Sequence, residues 1–165
     1  MTIKVGDKIP SVTLKHLAAD GMQDLSTDSV FSGKKIVLFS VPGAYTPTCS
    51  AKHLPGYVQN LAAFKAQGID VACLAVNDPF VMKAWGEAHN ASGITMLPDG
   101  NCTFTKALGL DMDGSGYGLG TRGQRFAIYA ENGIVKAVAV EKPGAFEVSS
   151  AEAMLKTVGA EKAAA

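Results

Sequence analysis

One stretch decides how the fold and the chemistry of this chain are interpreted: Val41-Pro42-Gly43-Ala44-Tyr45-Thr46-Pro47-Thr48-Cys49-Ser50. Residues 36–41, which lead into it, form a largely apolar run of the kind found in central parallel strands. Residues 51–67, which follow it, carry apolar side chains at helical spacing. Two prolines and a glycine stop the strand and stiffen the turn, so the stretch predicts a loop that joins a buried strand to a helix.

Cys49 lies in this stretch at a position that favours ionisation of a thiol. Thr48 is an N-cap candidate, which places Cys49 in the first turn of the helix. There the sulfur faces backbone N–H groups without helical partners and the positive end of the helix dipole. Most free cysteines are buried structural residues, but a loop rich in Pro and Gly is a poor place for a core side chain. The position therefore favours a reactive cysteine.

Length and composition limit the class of protein. The 165 residues, 47% of them hydrophobic, predict a single domain over residues 1–165 with a sizeable core. Fifteen basic and fifteen acidic residues cancel, which argues against a nucleic-acid or anionic-membrane surface, and no apolar run is long enough to span a membrane. Three widely spaced cysteines and the lack of a signal peptide favour a reducing compartment, so we expect a cytoplasmic protein.

Apolar periodicity predicts an α/β protein. After an N-terminal extension with a strand at 12–17 and a weakly helical turn at 25–31, strands and helices alternate and a hairpin and a last helix follow. The predicted ranges are strands 36–41, 69–76, 94–97, 125–130 and 134–140, and helices 51–67, 80–90, 103–108 and one that ends at Val158. A parallel half followed by an antiparallel hairpin is the thioredoxin-like fold, a central mixed sheet flanked by helices whose ligand end lies at the carboxyl ends of its strands.

Several other features allow more than one interpretation. Cys49 and His53 share a helix face at i, i+4 spacing and could be a hydrolase pair or half a metal site, but a histidine that packs locally is favoured. The Gly-rich segment 111–123 lacks the ending of a phosphate loop and is interpreted as a turning loop. Cys73 in an apolar strand is interpreted as core. Cys102, predicted to be partly exposed, has no assigned role.

From Pro42 to Cys49 the sequence matches the pattern Pro-x-x-x-Thr/Ser-x-x-Cys and resembles the peroxiredoxins, in particular the type II subfamily of plant type II and mammalian peroxiredoxin V-like proteins. The resemblance covers nearly the whole chain in order, through residues 53–56, 76–85, 108–110, 118–122 and 125–126. It implies thiol-dependent reduction of hydrogen peroxide and organic hydroperoxides, without metal, haem or flavin cofactors. Redox-sensing or chaperone-like binding on the same scaffold and cysteine hydrolysis remain competing hypotheses.

The resemblance also assigns roles to individual residues. Cys49 would be the peroxidatic cysteine, which the peroxide oxidises to a sulfenic acid. Thr46 would hold the peroxide and orient the thiolate, and Pro42 would shield the sulfur from water. The family's active-site arginine stands directly before the aromatic residue that opens the strand, which here is Arg125, with Arg122 as second choice.

The sequence departs from part of the family in how the sulfenic acid would be resolved. Mammalian V-type proteins have a resolving cysteine in the neighbourhood of residues 146–150, where this chain has none. Plant-like members carry a second cysteine in the strand of Cys73, but a disulfide requires Cα atoms within about 7 Å, so Cys73 resolves Cys49 only if the chain unwinds locally. We therefore expect an external reductant, glutathione with glutaredoxin or thioredoxin. The resemblance further implies a homodimer.

Overall fold

The computed structural model describes residues 1–164, and the side chains of residues 1–160. The helices and strands follow in chain order: β1 (Thr13–Ala18), β2 (Gly21–Ser26), α1 (Thr27–Phe31), β3 (Lys35–Ser40), a π-helical turn (Cys49–His53), α2 (Leu54–Lys65), β4 (Ile69–Ala75), α3 (Pro79–Ala88), β5 (Thr95–Pro98), α4 (Thr103–Leu108), β6 (Asp111–Asp113), a 3-10 turn (Ser115–Tyr117), β7 (Thr121–Gly123), β8 (Phe126–Glu131), β9 (Ile134–Val140) and α5 (Ala151–Ala164). Among the described residues, no helix is long and apolar enough to cross a membrane.

Five strands form the central sheet in the order β5-β4-β3-β8-β9. The β4 strand pairs parallel with β3 and β5, whereas β8 pairs antiparallel with β3 and β9. The β1–β2 hairpin forms the N-terminal extension. The predicted α/β class, with a central mixed sheet flanked by helices and preceded by an extension, is confirmed.

Side chains of the sheet alternate between two hydrophobic clusters, as the geometry of a strand requires. On β3, Val37 and Phe39 belong to one cluster, and Ile36 and Leu38 belong to the other. The first cluster includes side chains of α2, α3 and α5, and the second includes side chains of α1 and α4. Each fully buried aliphatic or aromatic side chain contributes about 1.5–3 kcal/mol, so the two clusters hold the helices against the sheet.

The helix after the decisive loop begins earlier and less regularly than the sequence predicted. Pro47 and Thr48 are already helical, and residues Cys49–His53 form a π-helical turn in which the Leu54 N–H donates to the Cys49 carbonyl. Pro55 has no N–H to continue the regular i to i−4 ladder, which explains the wider turn just before it. The prediction of Thr48 as an N-cap is wrong, because Thr48 has helical dihedral angles and its side chain caps nothing.

Four further predictions of local structure were wrong. The sequence did not predict β2, because none of its residues is buried and they show no apolar alternation. The Gly-rich segment is more ordered than a simple loop, since β6 and β7 pair around the 3-10 turn. The last helix continues past Val158 to Ala164. Cys102 is buried rather than partly exposed.

Asp99 supplies hydrogen-bond acceptors for the start of α4. Its side chain is almost fully buried, and its two carboxylate oxygens accept from the Phe104 N–H at 3.1 Å, the Thr105 N–H at 2.7 Å and the Thr105 hydroxyl at 2.7 Å. Cys102, the residue that precedes the helix, makes no side-chain cap bond. Asp99 therefore satisfies N–H groups that would otherwise be buried without a partner.

Asp99→Ala should lower the free energy of unfolding by about 1–3 kcal/mol, because buried donors lose their acceptor. Urea denaturation followed by circular dichroism measures the change. Asp113→Ala is the matched control, because the Asp113 carboxylate accepts from Ser115 at an exposed position, where water can replace it. Equal denaturation midpoints for the two variants would contradict a capping role for Asp99.

Candidate active site

The sheet topology brings Arg125 to Cys49 from 76 residues away. Cys49 follows β3 by one loop and lies in the first turn of the helix, at the carboxyl end of that strand. Because β8 pairs antiparallel with β3, its first residue, Phe126, lies opposite Ser40, the last residue of β3. Arg125 therefore emerges beside the loop that carries Cys49. Its Nη2 donates a hydrogen bond to the Cys49 Sγ at 3.0 Å.

The charge of the Arg125 guanidinium has no carboxylate partner among the described residues. None of their ion pairs includes Arg125, whose side chain is half-buried. Cys49 itself is 0% exposed, and its sulfur lies at the first turn of the helix. A buried charge is costly unless an opposite charge or strong acceptor faces it. The Cys49 sulfur is one of the two acceptors that the guanidinium meets in this site, and the other is a nitrogen of His53.

His53 is the second acceptor for Arg125. Its Nδ1 accepts from Arg125 Nη1 at 2.7 Å, and its Nε2–H donates to the Ser149 carbonyl at 3.0 Å. The tautomer follows from the partners, because a guanidinium only donates and a carbonyl only accepts. Burial, and then the positive charge of Arg125, lower the pKa of His53 to about 3. His53 is therefore neutral, and both of its nitrogens are engaged away from Cys49.

This geometry decides between the interpretations of the Cys49–His53 spacing. A hydrolase pair requires a base whose free nitrogen faces the nucleophile, and His53 offers none. No group of three or more His, Cys, Asp or Glu side chains able to hold a metal ion occurs in the part of the chain that the structure describes. The favoured interpretation, a histidine that packs and hydrogen-bonds within the protein, agrees with the structure. The sequence did not predict that His53 would hydrogen-bond Arg125.

Glu141 organises the segment that supplies the Ser149 carbonyl. Its Oε2 accepts from the Glu147 N–H at 2.8 Å, the Ser149 N–H at 2.8 Å and the Ser149 hydroxyl at 2.7 Å. Burial opposes ionisation of Glu141, but the hydrogen bonds from the Ser149 hydroxyl and from backbone N–H groups outweigh it and lower its pKa. The Tyr57 hydroxyl donates to the same Ser149 carbonyl at 2.8 Å. This carbonyl is therefore held from both sides.

The Phe146 ring closes the site over His53 and Arg125. It meets the His53 ring edge to face, with the two centroids 5.0 Å apart. The guanidinium carbon of Arg125 lies 5.9 Å from the centre of the same ring, within the range of a cation–π contact. Sequence analysis missed Phe146, Glu141 and Ser149 as parts of the site. No local pattern marks them, since their contacts join residues that are far apart in the sequence.

Thr46 and Arg122 hold the loop on the other side of Cys49. The Thr46 hydroxyl donates to the Gly43 carbonyl at 2.6 Å, which leaves its oxygen lone pairs able to accept from another donor. Arg122 donates through Nη1 to the Pro42 carbonyl at 3.3 Å and through Nε to the Leu119 carbonyl at 2.9 Å. A Cβ atom at Gly43 would lie 2.7 Å from Arg122 Nη1, so a larger residue there would displace the end of the Arg122 side chain. Arg122 supports the loop, whereas Arg125 contacts the sulfur.

Two further hydrogen bonds tie this region to neighbouring elements. The Asn77 Oδ1 accepts from the Ala44 N–H at 2.9 Å, which joins the loop before Cys49 to the loop after β4. The Trp85 Nε1–H on α3 donates to the Ser50 hydroxyl at 3.0 Å, one residue after Cys49. Both contacts restrict how far the loop and the first helical turn can move.

All three cysteines are free. Cys73 lies on β4 opposite Phe39 of β3 and is 0% exposed. Burial, and then the nearby Cys49, raise the pKa of Cys73 well above its ordinary value, so its thiol stays protonated at neutral pH. Burial also raises the pKa of Cys102. Of the three thiols, that of Cys49 is the one to which Arg125 donates a hydrogen bond.

Comparison with known proteins places the chain in a family. The Redoxin family model matches residues 4–155. Peroxiredoxin-2E-2, a chloroplastic protein of Oryza sativa subsp. japonica, is 47% identical over 95% of this chain and 73% of its own length. Peroxiredoxin-2D of Arabidopsis thaliana is 44% identical over 94% of this chain and 98% of its own length.

Solved structures of peroxiredoxins have the same fold. Reduced Prx3 from Vibrio vulnificus in complex with H2O2 is 51% identical, with a TM-score of 0.92, 95% of this chain covered and 99% of that chain covered. Peroxiredoxin 5 from Alvinella pompejana is 35% identical, with a TM-score of 0.85, 96% of this chain covered and 99% of that chain covered. The predicted thioredoxin-like fold is confirmed, as is the resemblance on which the enzyme class was based. The chain therefore belongs to the Redoxin family and, within it, to the type II peroxiredoxins, enzymes that reduce peroxides with the thiol of a peroxidatic cysteine.

Proposed function

We propose that Cys49 is the peroxidatic cysteine and that it reduces hydrogen peroxide and organic hydroperoxides. The observation that carries this proposal is the 3.0 Å hydrogen bond from Arg125 Nη2 to the Cys49 Sγ, made by a guanidinium without a carboxylate partner among the described residues. The thiolate attacks one peroxide oxygen, the O–O bond breaks, and the sulfur becomes a sulfenic acid. The other oxygen leaves with the bonding electrons and takes up a proton to become water or an alcohol.

Arg125 is the larger of two contributions that favour the thiolate. Two unit charges about 4 Å apart attract by ~4 kcal/mol at an effective dielectric constant near 20. A helix N-terminus contributes only about 0.3–1 kcal/mol at most exposed sites, and up to ~2 kcal/mol where it is partly buried. The guanidinium also faces the region where negative charge develops on the leaving oxygen, so it stabilises the transition state as well.

Thr46 and Pro42 complete the proposed site. The Thr46 hydroxyl gives its proton to the Gly43 carbonyl, so its oxygen is left to accept a hydrogen bond from the peroxide O–H. This contact would place the O–O bond in line with the sulfur, which is the main requirement for a displacement reaction. Pro42 has no N–H of its own and its half-buried ring limits the access of water to the sulfur.

The sulfenic acid is proposed to be resolved by a thiol from another molecule. That thiol displaces hydroxide from the Cys49 sulfur, with proton transfer giving water and a mixed disulfide, and a second thiol then restores the Cys49 thiol. Cys73 does not suit this step in the folded state, because it is fully buried and protonated. Glutathione with glutaredoxin, or thioredoxin, is the proposed reductant.

We further propose a homodimer of single-domain chains, each spanning residues 1–165, located in the cytoplasm. Tyr45 and Phe80 are 55% and 61% exposed, and the Asn77–Ala44 hydrogen bond joins the loop of Tyr45 to the segment just before α3, whose first turn carries Phe80. Two exposed aromatic rings on neighbouring, hydrogen-bonded segments are typical of an interaction surface. The three free cysteines suit a reducing compartment. A mass of 17.1 kDa in sedimentation equilibrium, that of one chain, would contradict the dimer.

Arg125→Gln should lower the second-order rate constant for hydrogen peroxide by about 100-fold or more, because the reaction loses a donor aimed at developing charge. Arg122→Gln is the matched control and should lower it far less, because the Arg122 guanidinium donates to the Pro42 and Leu119 carbonyls rather than to the sulfur. Stopped-flow peroxide consumption measures both, with Cys49→Ser as the inactive blank. A larger loss in Arg122→Gln would transfer the role to Arg122, and full activity in Cys49→Ser would refute the proposed function.

Treatment of the reduced protein with one equivalent of peroxide should add one oxygen atom to the chain, as measured by intact mass. Glutathione should then convert this species to a mixed disulfide at Cys49, because no accessible thiol of the chain competes. Cys73→Ser should keep most of the activity with glutaredoxin. Rapid loss of two hydrogens with a Cys49–Cys73 bridge, together with an inactive Cys73→Ser variant, would show internal resolution instead.

A further inference from the structure

We propose that Glu141, Ser149 and His53 form a positioning relay that fixes the orientation of the Arg125 guanidinium toward Cys49. The proposal rests on the proposed function, since it explains how the arginine assigned there is held in place. Within the relay, the hydrogen bonds of these three residues go to Arg125 and to one another rather than to the sulfur. They act through Arg125 and are therefore positioning residues.

The first step of the relay is the contact between His53 and Arg125. A guanidinium is planar and presents its donors in a fixed fork, so holding one nitrogen fixes where the others point. His53 Nδ1 accepts from Nη1 at 2.7 Å while Nη2 donates to the sulfur at 3.0 Å. The Phe146 ring faces the same group only at 5.9 Å. His53 is therefore the strongest directional restraint on the guanidinium apart from Cys49.

The second step is the contact between Ser149 and His53. Nδ1 can accept from Arg125 only when the ring proton sits on Nε2, and the hydrogen bond that Nε2–H donates to the Ser149 carbonyl selects this tautomer. A proton on Nδ1 would instead point at the guanidinium. Burial and the charge of Arg125, which lower the pKa of His53 to about 3, keep the ring neutral at physiological pH.

The third step is the placement of the Ser149 carbonyl by Glu141. Residues 142–150, which follow, contain no helix or strand, so no regular backbone ladder holds the segment that ends at Ser149. The Glu141 carboxylate replaces that ladder, because its Oε2 accepts from the backbone N–H and the hydroxyl of Ser149. The Glu141 backbone N–H donates to the Arg125 carbonyl at 3.0 Å. Glu141 is therefore tied at one end to the main chain of Arg125 and at the other to the residue that holds His53.

His53 also packs as a ring, and a purely structural role has to be distinguished from the relay. Its ring lies 4.9 Å from that of Phe39, 5.6 Å from that of Tyr57 and 5.0 Å from that of Phe146, between centroids. His53→Phe keeps an aromatic ring for these contacts but removes the acceptor for Arg125. His53→Asn loses the ring but places an amide oxygen near the position of Nδ1. If His53 acts through the relay, His53→Asn should react faster than His53→Phe. If its role is only structural, His53→Phe should react faster.

The test measures the second-order rate constant for hydrogen peroxide and the thermal midpoint of the same variants. We expect His53→Phe to react about tenfold or more slowly than the parent, because a displaced guanidinium no longer points at the reacting sulfur. His53→Asn should retain a larger share of the parental rate constant. The thermal midpoints should show the reverse order, because the ring contacts stabilise the fold. A parental rate in His53→Phe, or rates that follow the midpoints, would overturn the relay.

Glu141→Gln tests the far end of the relay with little change in shape. It replaces a carboxylate by an amide, whose oxygen accepts more weakly from the two Ser149 donors, so the rate constant should fall. Glu131→Gln is the matched control at the other end of β8, where the carboxylate accepts from the Tyr129 hydroxyl at 2.9 Å. The control should react at the parental rate. An equal rate in the two variants would show that Glu141 has no positioning role.

A double-mutant cycle separates failure of the relay from failure of the proposed function. Once Arg125 is replaced by Gln, adding His53→Phe should lower the rate constant little further, because the relay acts only through the guanidinium. If Arg125→Gln itself keeps the parental rate, the proposed role of Arg125 fails. If Arg125→Gln is slow but the two substitutions have independent, multiplicative effects, the role of Arg125 stands and the relay fails.

Discussion

The site depends on one contact, the hydrogen bond between the guanidinium of Arg125 and the sulfur of Cys49. The guanidinium is partly buried, forms an ion pair with no carboxylate of the described residues, and directs one of its hydrogen-bond donors at the sulfur. The pairing of β8 with β3 produces this contact, because it sets the residue before β8 beside the loop after β3. The most buried part of the sheet thus determines the geometry of the reactive group.

The same charge explains the polar groups around it. Any carboxylate close to Arg125 would compete with the sulfur, and the second acceptor that the guanidinium meets is a neutral imidazole. The Glu141 carboxylate does not contact Arg125 directly. It accepts hydrogen bonds from Ser149, the residue whose carbonyl holds this imidazole. Cys73 remains a protonated core thiol in the same cluster. The two buried cysteines therefore differ in their contacts, because the Cys49 sulfur accepts a hydrogen bond from Arg125 whereas burial keeps the Cys73 thiol protonated.

Apolar periodicity was sufficient to predict the order of the central strands and helices along the chain, and the closely spaced apolar runs 125–130 and 134–140 were sufficient to predict the hairpin of β8 and β9. The π-helical turn was missed, because the effect of the absent N–H of Pro55 depends on the helix around it. The loop pattern pointed to Cys49, and the resemblance added Thr46 and Arg125. Glu141 could not be predicted, because a single glutamate after a strand carries no local signal and its role depends on contacts made by the folded chain.

The central claim is that Cys49 reacts directly with peroxide, and Trp85 provides a probe of it. Trp85 is the single tryptophan of the chain, and its Nε1–H donates to the hydroxyl of Ser50, next to Cys49. Its fluorescence should change when the reduced protein is mixed with excess hydrogen peroxide in a stopped-flow instrument. The account predicts a rate that rises linearly with peroxide concentration, far above that of a free cysteine, and no change in Cys49→Ser. The same change in Cys49→Ser, or a parental rate no faster than that of free cysteine, would contradict it.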